Sequence, residues 1–101
     1  MAGKISKLGQ ALMPGELLLD VSELEPPEPL ELTLEAADEL KPGQYLRMLH
    51  RRTPCILFGN LDDNNFKYFQ RKGSTTAVEV FIWRENDDKA AKAVELALQT
   101  N

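Results

Sequence analysis

The sequence predicts an α+β domain in the order strand, helix, strand, helix, strand, strand, with a further helix at the C-terminus. Three observations carry that expectation. Compact apolar runs alternate with segments of helical period across residues 16–62. Two segments rich in aromatic and β-branched residues, 66–71 and 77–84, flank the turn signal Lys72-Gly73-Ser74. Proline, glycine or asparagine marks most of the boundaries between them. The 101 residues suffice for one core and are too few for two. The chain therefore divides into an N-terminal arm over 1–15, an α/β domain over 16–85 and a C-terminal helix over 86–101.

Taken in order, the arm carries Ile5, Leu8 and Leu12 at helical spacing and ends at Pro14-Gly15. Residues 17–21 are a compact apolar run and read as a buried first strand. A proline-rich connection follows, and Pro27 and Pro29 suit the first turn of a helix, where backbone N–H groups lack partners anyway. Glu28 and Glu31 complement the positive end of the same helix. Leu30, Leu34 and Ala37 form its core-facing stripe, with Thr33 and Leu40 beside it, and Lys41-Pro42-Gly43 stops it. Residues 45–49 then read as a strand with Leu46 and Met48 on one face and Tyr45, Arg47 and Leu49 on the other. Thr53 as N-cap and Pro54 at the next position predict a short second helix from Cys55 to about Asp62, burying Ile56, Leu57 and Leu61.

In the last strand Val78, Val80 and Ile82 alternate with Phe81 and Trp83. A sheet covered by helices on one side would leave those two aromatics bare, and bare aromatic patches mark interfaces. Residues 86–99 offer one cover, with Asn86 or Asp87 as cap and Ala90, Ala93, Val94, Ala97 and Leu98 as an apolar stripe. The arm, or a homodimer formed through the Phe81/Trp83 face, is the alternative.

Composition narrows the function classes. The formal charge of −4 argues against nucleic-acid binding by the surface as a whole. Its distribution is uneven: every charge from Glu16 to Glu39 is negative. From Lys41 to Lys72 seven cations face only Asp62 and Asp63. One cysteine and one histidine exclude an intrachain disulfide framework and a Cys/His zinc cage within one chain. The glycines show no phosphate-loop spacing, and no cofactor motif is present. No apolar run is long enough to cross a bilayer, and no apolar segment of a secretory signal follows the basic N-terminus. A cytoplasmic protein is the expectation.

Two places could carry chemistry. His50, Arg51, Arg52 and Thr53 combine mobile cations with a helix start, which suits a phosphate, a carboxylate or another oxyanion. The structural alternative is that the arginines pair with the acidic first helix at Glu31, Glu35 or Asp38. Cys55 follows the same cations, and helix-end amides with two guanidinium groups would activate its thiol. The alternative there is a small apolar residue packed under the helix. His50 itself reads as a partly exposed loop histidine rather than a general base. Glu28, Glu31 and Glu35 share a helix face but lack the converging oxygens of a metal site, so a solvated face is expected. No residue stands out as catalytic.

The run LDVSELEPPEPLELTLEAADELKPGQYLRMLHRRTPCILF resembles the bacterial domain-of-unknown-function family 2249. That family is similar in turn to the TusA/SirA-like sulfur-carrier domains. The resemblance spans about residues 18–83. It rests on Leu19-Asp20, the Pro-Pro-Glu-Pro-Leu run, the Pro42-Gly43 turn and His50-Arg51-Arg52-x-Pro54. It implies a two-layer α/β sandwich of βαβαββ order. Sulfur carriers place the cysteine of a Cys-Pro-x-Pro motif at the head of the first helix; the matching residues here are Pro26, Pro27, Glu28 and Pro29. Proline offers no nucleophile, so the resemblance implies a scaffold without persulfide relay at that position. The expected function is a binding or adaptor module whose surface joins Pro26 and Glu28 to His50, Arg51, Arg52 and Thr53, toward a protein partner or a small anionic ligand. The rival is a redox or sulfur-handling protein using Cys55. A weaker one is RNA contact through Arg47, Arg51, Arg52, Lys67, Arg71 and Lys72, with Tyr45 or Phe69 stacking on bases.

Overall fold

The computed structural model describes residues 15–99, so the arm expected over 1–15 lies, but for Gly15, outside the described residues. Strands β1 (Glu16–Asp20), β2 (Tyr45–His50), β3 (Phe66–Lys72) and β4 (Val78–Arg84) alternate with helices α1 (Glu28–Asp38), α2 (Cys55–Asp63) and α3 (Asp88–Gln99). The chain order is βαβαββα. The four strands form one mixed sheet in the order β1-β2-β4-β3. β1 and β2 run parallel, which requires a crossover between them, and α1 supplies it. β4 lies antiparallel to both β2 and β3.

Strand parity sorts the side chains into two cores. Register pairs Leu19 with Met48, Met48 with Val80 and Leu46 with Ile82, so these residues share a face. They are buried with Ala36 and Ala37 from the end of α1, Leu40 just after it, and Leu57 and Leu61 from α2. On the opposite face Tyr45 and Phe81 are buried against Val94 and Ala97 of α3, with Trp83, Ala93 and Leu98 packed around them. The α3 stripe at Ala90, Val94 and Ala97 therefore covers this face within the chain, and the sandwich gains a third layer beyond the two that the resemblance implies. A second copy meeting this face would do so with α3 already in place.

Both helix starts differ by about a residue from the expectation. Pro27 occupies the N-cap of α1 rather than its first turn, which holds Pro29, and no side chain caps the helix. In α2 the N-cap is Pro54, not Thr53, because the Cys55 amide donates to the Thr53 carbonyl and tightens the chain before the helix begins. The expectation that Ile56 is buried is also overturned: it is 74% exposed. Successive helical residues are turned about 100° from one another, so a stripe through Leu57 and Leu61 leaves Ile56 pointing away from the sheet.

Two polar devices hold the layers together. Gln44 N–H donates to the Lys41 carbonyl across a turn whose Gly43 has φ 83°, the left-handed conformation that a type II turn with Pro42 before it demands. Asp87 accepts from Gly43 N–H at 2.8 Å and from Ala90 N–H at 3.0 Å, so one carboxylate caps α3 and ties it to that turn. These backbone donors hold the Asp87 carboxyl below its usual range. On the α3 face of the sheet, Tyr45 donates to Glu16 at 2.6 Å. Arg47 bridges Glu16 at 3.4 Å and Glu79 at 3.1 Å, and Arg71 reaches the other Glu79 oxygen at 3.0 Å. Buried charges are tolerated when paired in this way. Burial, reinforced by the Glu16 bond, pushes the Tyr45 phenol far above its ordinary range.

That network also removes part of the RNA reading. Tyr45 is fully enclosed and Arg47 is buried between two carboxylates, so neither is available to a nucleic acid.

Candidate functional site

At the carboxyl ends of the parallel strands β1 and β2 the chain enters α1 and α2, so the heads of both helices lie at the same end of the sheet. The two heads leave a crevice between them. Here it is a cleft of about 340 Å³, at the small end of the range for ligand pockets. Met48 and His50 come from β2, Pro26, Pro27, Pro29 and Leu30 from the α1 side, and Arg52 through Leu57 from the α2 side.

Local chemistry explains why the walls stand where they do. Asp20, the last residue of β1, accepts from Ser22 through both N–H, at 3.0 Å, and Oγ, at 2.6 Å, and fixes the exit of the strand. Arg51 then donates to the Ser22 carbonyl at 2.7 Å and pairs with Glu25 at 3.1 Å, fastening the segment after β2 to the segment before α1. Glu25 is largely exposed, so the ion pair adds little by itself; the carbonyl bond fixes position. The Pro26–Pro27 peptide bond is cis.

The residues singled out from sequence thus separate. Pro26, His50, Arg52, Thr53 and Cys55 all line the cleft. Glu28 sits exposed at the first position of α1 outside the lining, and Arg51 is occupied with Glu25 and Ser22. The pairing expected on the α1 surface is with Glu31, Glu35 or Asp38; the ion pair that Arg51 makes is with Glu25, in the segment before that helix. His50 is not a partly exposed loop residue: it ends β2 and is 7% exposed. Its Nδ1 is enclosed and has no hydrogen-bond partner among the described residues. Burial, and after it the charges of Arg51 and Arg52, lower the His50 pKa, which favours the neutral ring. Cys55 is exposed rather than packed under the helix. Met48, Leu30 and Leu57 also line the cleft; sequence assigned them to the core, and apolar periodicity alone cannot tell a core wall from a pocket wall.

The acidic residues of α1 stay apart, and no group of three or more histidine, cysteine or carboxylate side chains among the described residues could hold a metal ion. No helix of the described residues is long and apolar enough to cross a membrane.

The fold and this cleft define a small α+β sandwich domain with one face of its sheet under two helices and the other under a third. The chain belongs to the family of uncharacterized conserved proteins DUF2249, whose model matches residues 18–84, most of the sheet together with α1 and α2. No curated protein and no solved structure matches it.

Proposed function

We propose that the chain is a binding or adaptor module without a catalytic step, and that the cleft between the heads of α1 and α2 is its contact site. One observation carries this: the proline segment and the segment after β2, far apart in sequence, meet around one cleft, with Pro26, Pro27 and Pro29 on one side and Arg52, Thr53 and Cys55 on the other. Pro26 stands where similar sulfur carriers would place a nucleophile, which favours binding over chemistry at that position. The test is two-dimensional NMR of the full chain against a set of small apolar fragments. Shifts should cluster on the amides of Leu30, Ile56 and Leu57; binders that map elsewhere would remove the cleft from consideration.

The exposure of Cys55 on the same lining supports the sulfur-handling alternative. Alkylation by iodoacetamide at neutral pH separates the two. A folded-state rate no faster than that of the denatured chain leaves the thiol as a bystander of the cleft.

A further inference from the structure

We propose that this cleft docks a basic peptide segment of a partner protein. One apolar side chain of the segment enters the cleft, and the lysines or arginines beside it lie over the outer face of α1. The inference rests on the binding-module reading above and names the partner chemistry for the same site.

The cleft supplies the place for the anchor. Pro26, Pro27, Pro29, Leu30, Met48 and Leu57 give it an apolar lining. At about 340 Å³ it has room for an apolar side chain. Ile56 belongs to the same lining and is 74% exposed. The apolar surface therefore continues out of the mouth, where a chain lying across it gives cover that a molecule sealed inside would not.

Charge decides which kind of chain. Glu28 is the first residue of α1 and stands between the lining residues Pro27 and Pro29. Glu31 and Glu35 follow it on one helix face at i+3 and i+7, and all three are exposed. With a rise of about 1.5 Å per residue, this row extends about 10 Å from the mouth. Glu23 and Glu25 add exposed carboxylates in the segment before the helix, Glu25 being paired with Arg51. No lysine or arginine stands between Glu16 and Glu39. On the α2 side Arg52 is the one guanidinium that lines the cleft, so the cations of a bound segment are directed over α1 and away from α2. An acidic peptide or a nucleic acid meets like charge along α1. A second copy docked by this same surface sets its own acidic row beside this one. Exposed ion pairs are weak singly, so the anchor holds the segment and the row of carboxylates sets its direction.

The experiment follows amide shifts of the full chain with three capped peptides: acetyl-Leu-Lys-Arg-Lys-amide, the neutral acetyl-Leu-Gln-Gln-Gln-amide and the anchorless acetyl-Ala-Lys-Arg-Lys-amide. The first should move Leu30, Ile56 and Leu57 together with Glu28 and Glu31, and bind about tenfold more tightly than either of the others. Glu28→Gln/Glu31→Gln, a change at two exposed side chains, should weaken it about fivefold and leave the neutral peptide unaffected. Equal binding of the basic and neutral peptides would overturn the basic class while leaving the cleft as a binding site. Equal binding with and without the leucine would reduce the effect to cations gathered on α1 and overturn the anchor. Silence from all three would overturn the proposal, and silence from the apolar fragments as well would take the cleft reading with it. Sedimentation showing a dimer in which the peptide shifts are lost would give the surface to a second copy and overturn the peptide assignment.

Discussion

His50 concentrates at one residue what the fold does to a side chain. Strand alternation turns it toward the helix layer, where it is enclosed beside two arginines. Its folded pKa lies below the ordinary 6.5, so as pH falls through that value the unfolded chain takes up a proton before the folded one does. The unfolded state then binds more protons, and stability falls with falling pH from about 6.5 down to the folded value. Chemical denaturation at a series of pH values should show that decline, and His50→Phe should flatten it. An unchanged slope in the variant would assign the decline to other groups. Only coordinates reveal this role: in the sequence His50 precedes two arginines and a threonine, which reads as a loop.

At the scale of elements, the helix heads decide the cleft and the helix stripes decide stability. Leu57 and Leu61 are enclosed against the sheet, whereas Ile56 projects from the first turn of α2. Leu57→Ala should cost about 2–5 kcal/mol, since it deletes buried methyl groups and leaves a cavity. Ile56→Ala should stay within about 0.5 kcal/mol, as a change at an exposed side chain that buries little. Paired urea melts check both, and a large loss at Ile56 would contradict the orientation of the helix. Strand faces were legible from sequence because a period of two leaves one choice of side: Leu46 and Met48 fall opposite Tyr45 and Arg47 as alternation demands. Caps were less legible. Thr53-Pro54 and Pro27-Glu28-Pro29 both contain good starting residues, and a shift by one changes no local propensity; the Cys55 to Thr53 hydrogen bond settles the first.

Across the whole molecule, α3 turns a two-layer arrangement into three layers, and the sheet face on which it packs also carries a buried charged network. α3 packs on β2 and β4, and beneath it Tyr45 and Phe81 are fully buried. Glu79 is the hinge of the charges, since Arg47 and Arg71 each take one of its oxygens. Glu79→Gln keeps the shape but removes the charge that Arg47 and Arg71 share, leaving Glu16 as the one carboxylate of the network, and it should lower stability by about 3–5 kcal/mol, the cost of breaking a buried pair. Thermal unfolding of the variant tests this; a loss of less than about 1 kcal/mol would mean that water reaches the network.

By itself, the sequence determined the order and type of the elements, the faces of the strands and the amphipathic side of α3, because periodicity and turn residues act over a few neighbours. It also placed Pro26, His50, Arg52, Thr53 and Cys55 among the residues of interest, since helix starts and clustered cations are local features. Tertiary structure alone decided which layer covers Phe81, that Arg51 is bound into the scaffold while Arg52 stays exposed, and that His50 is buried. Those outcomes depend on contacts between segments distant in the chain, where burial and hydrogen bonding are set by packing rather than by neighbouring residues.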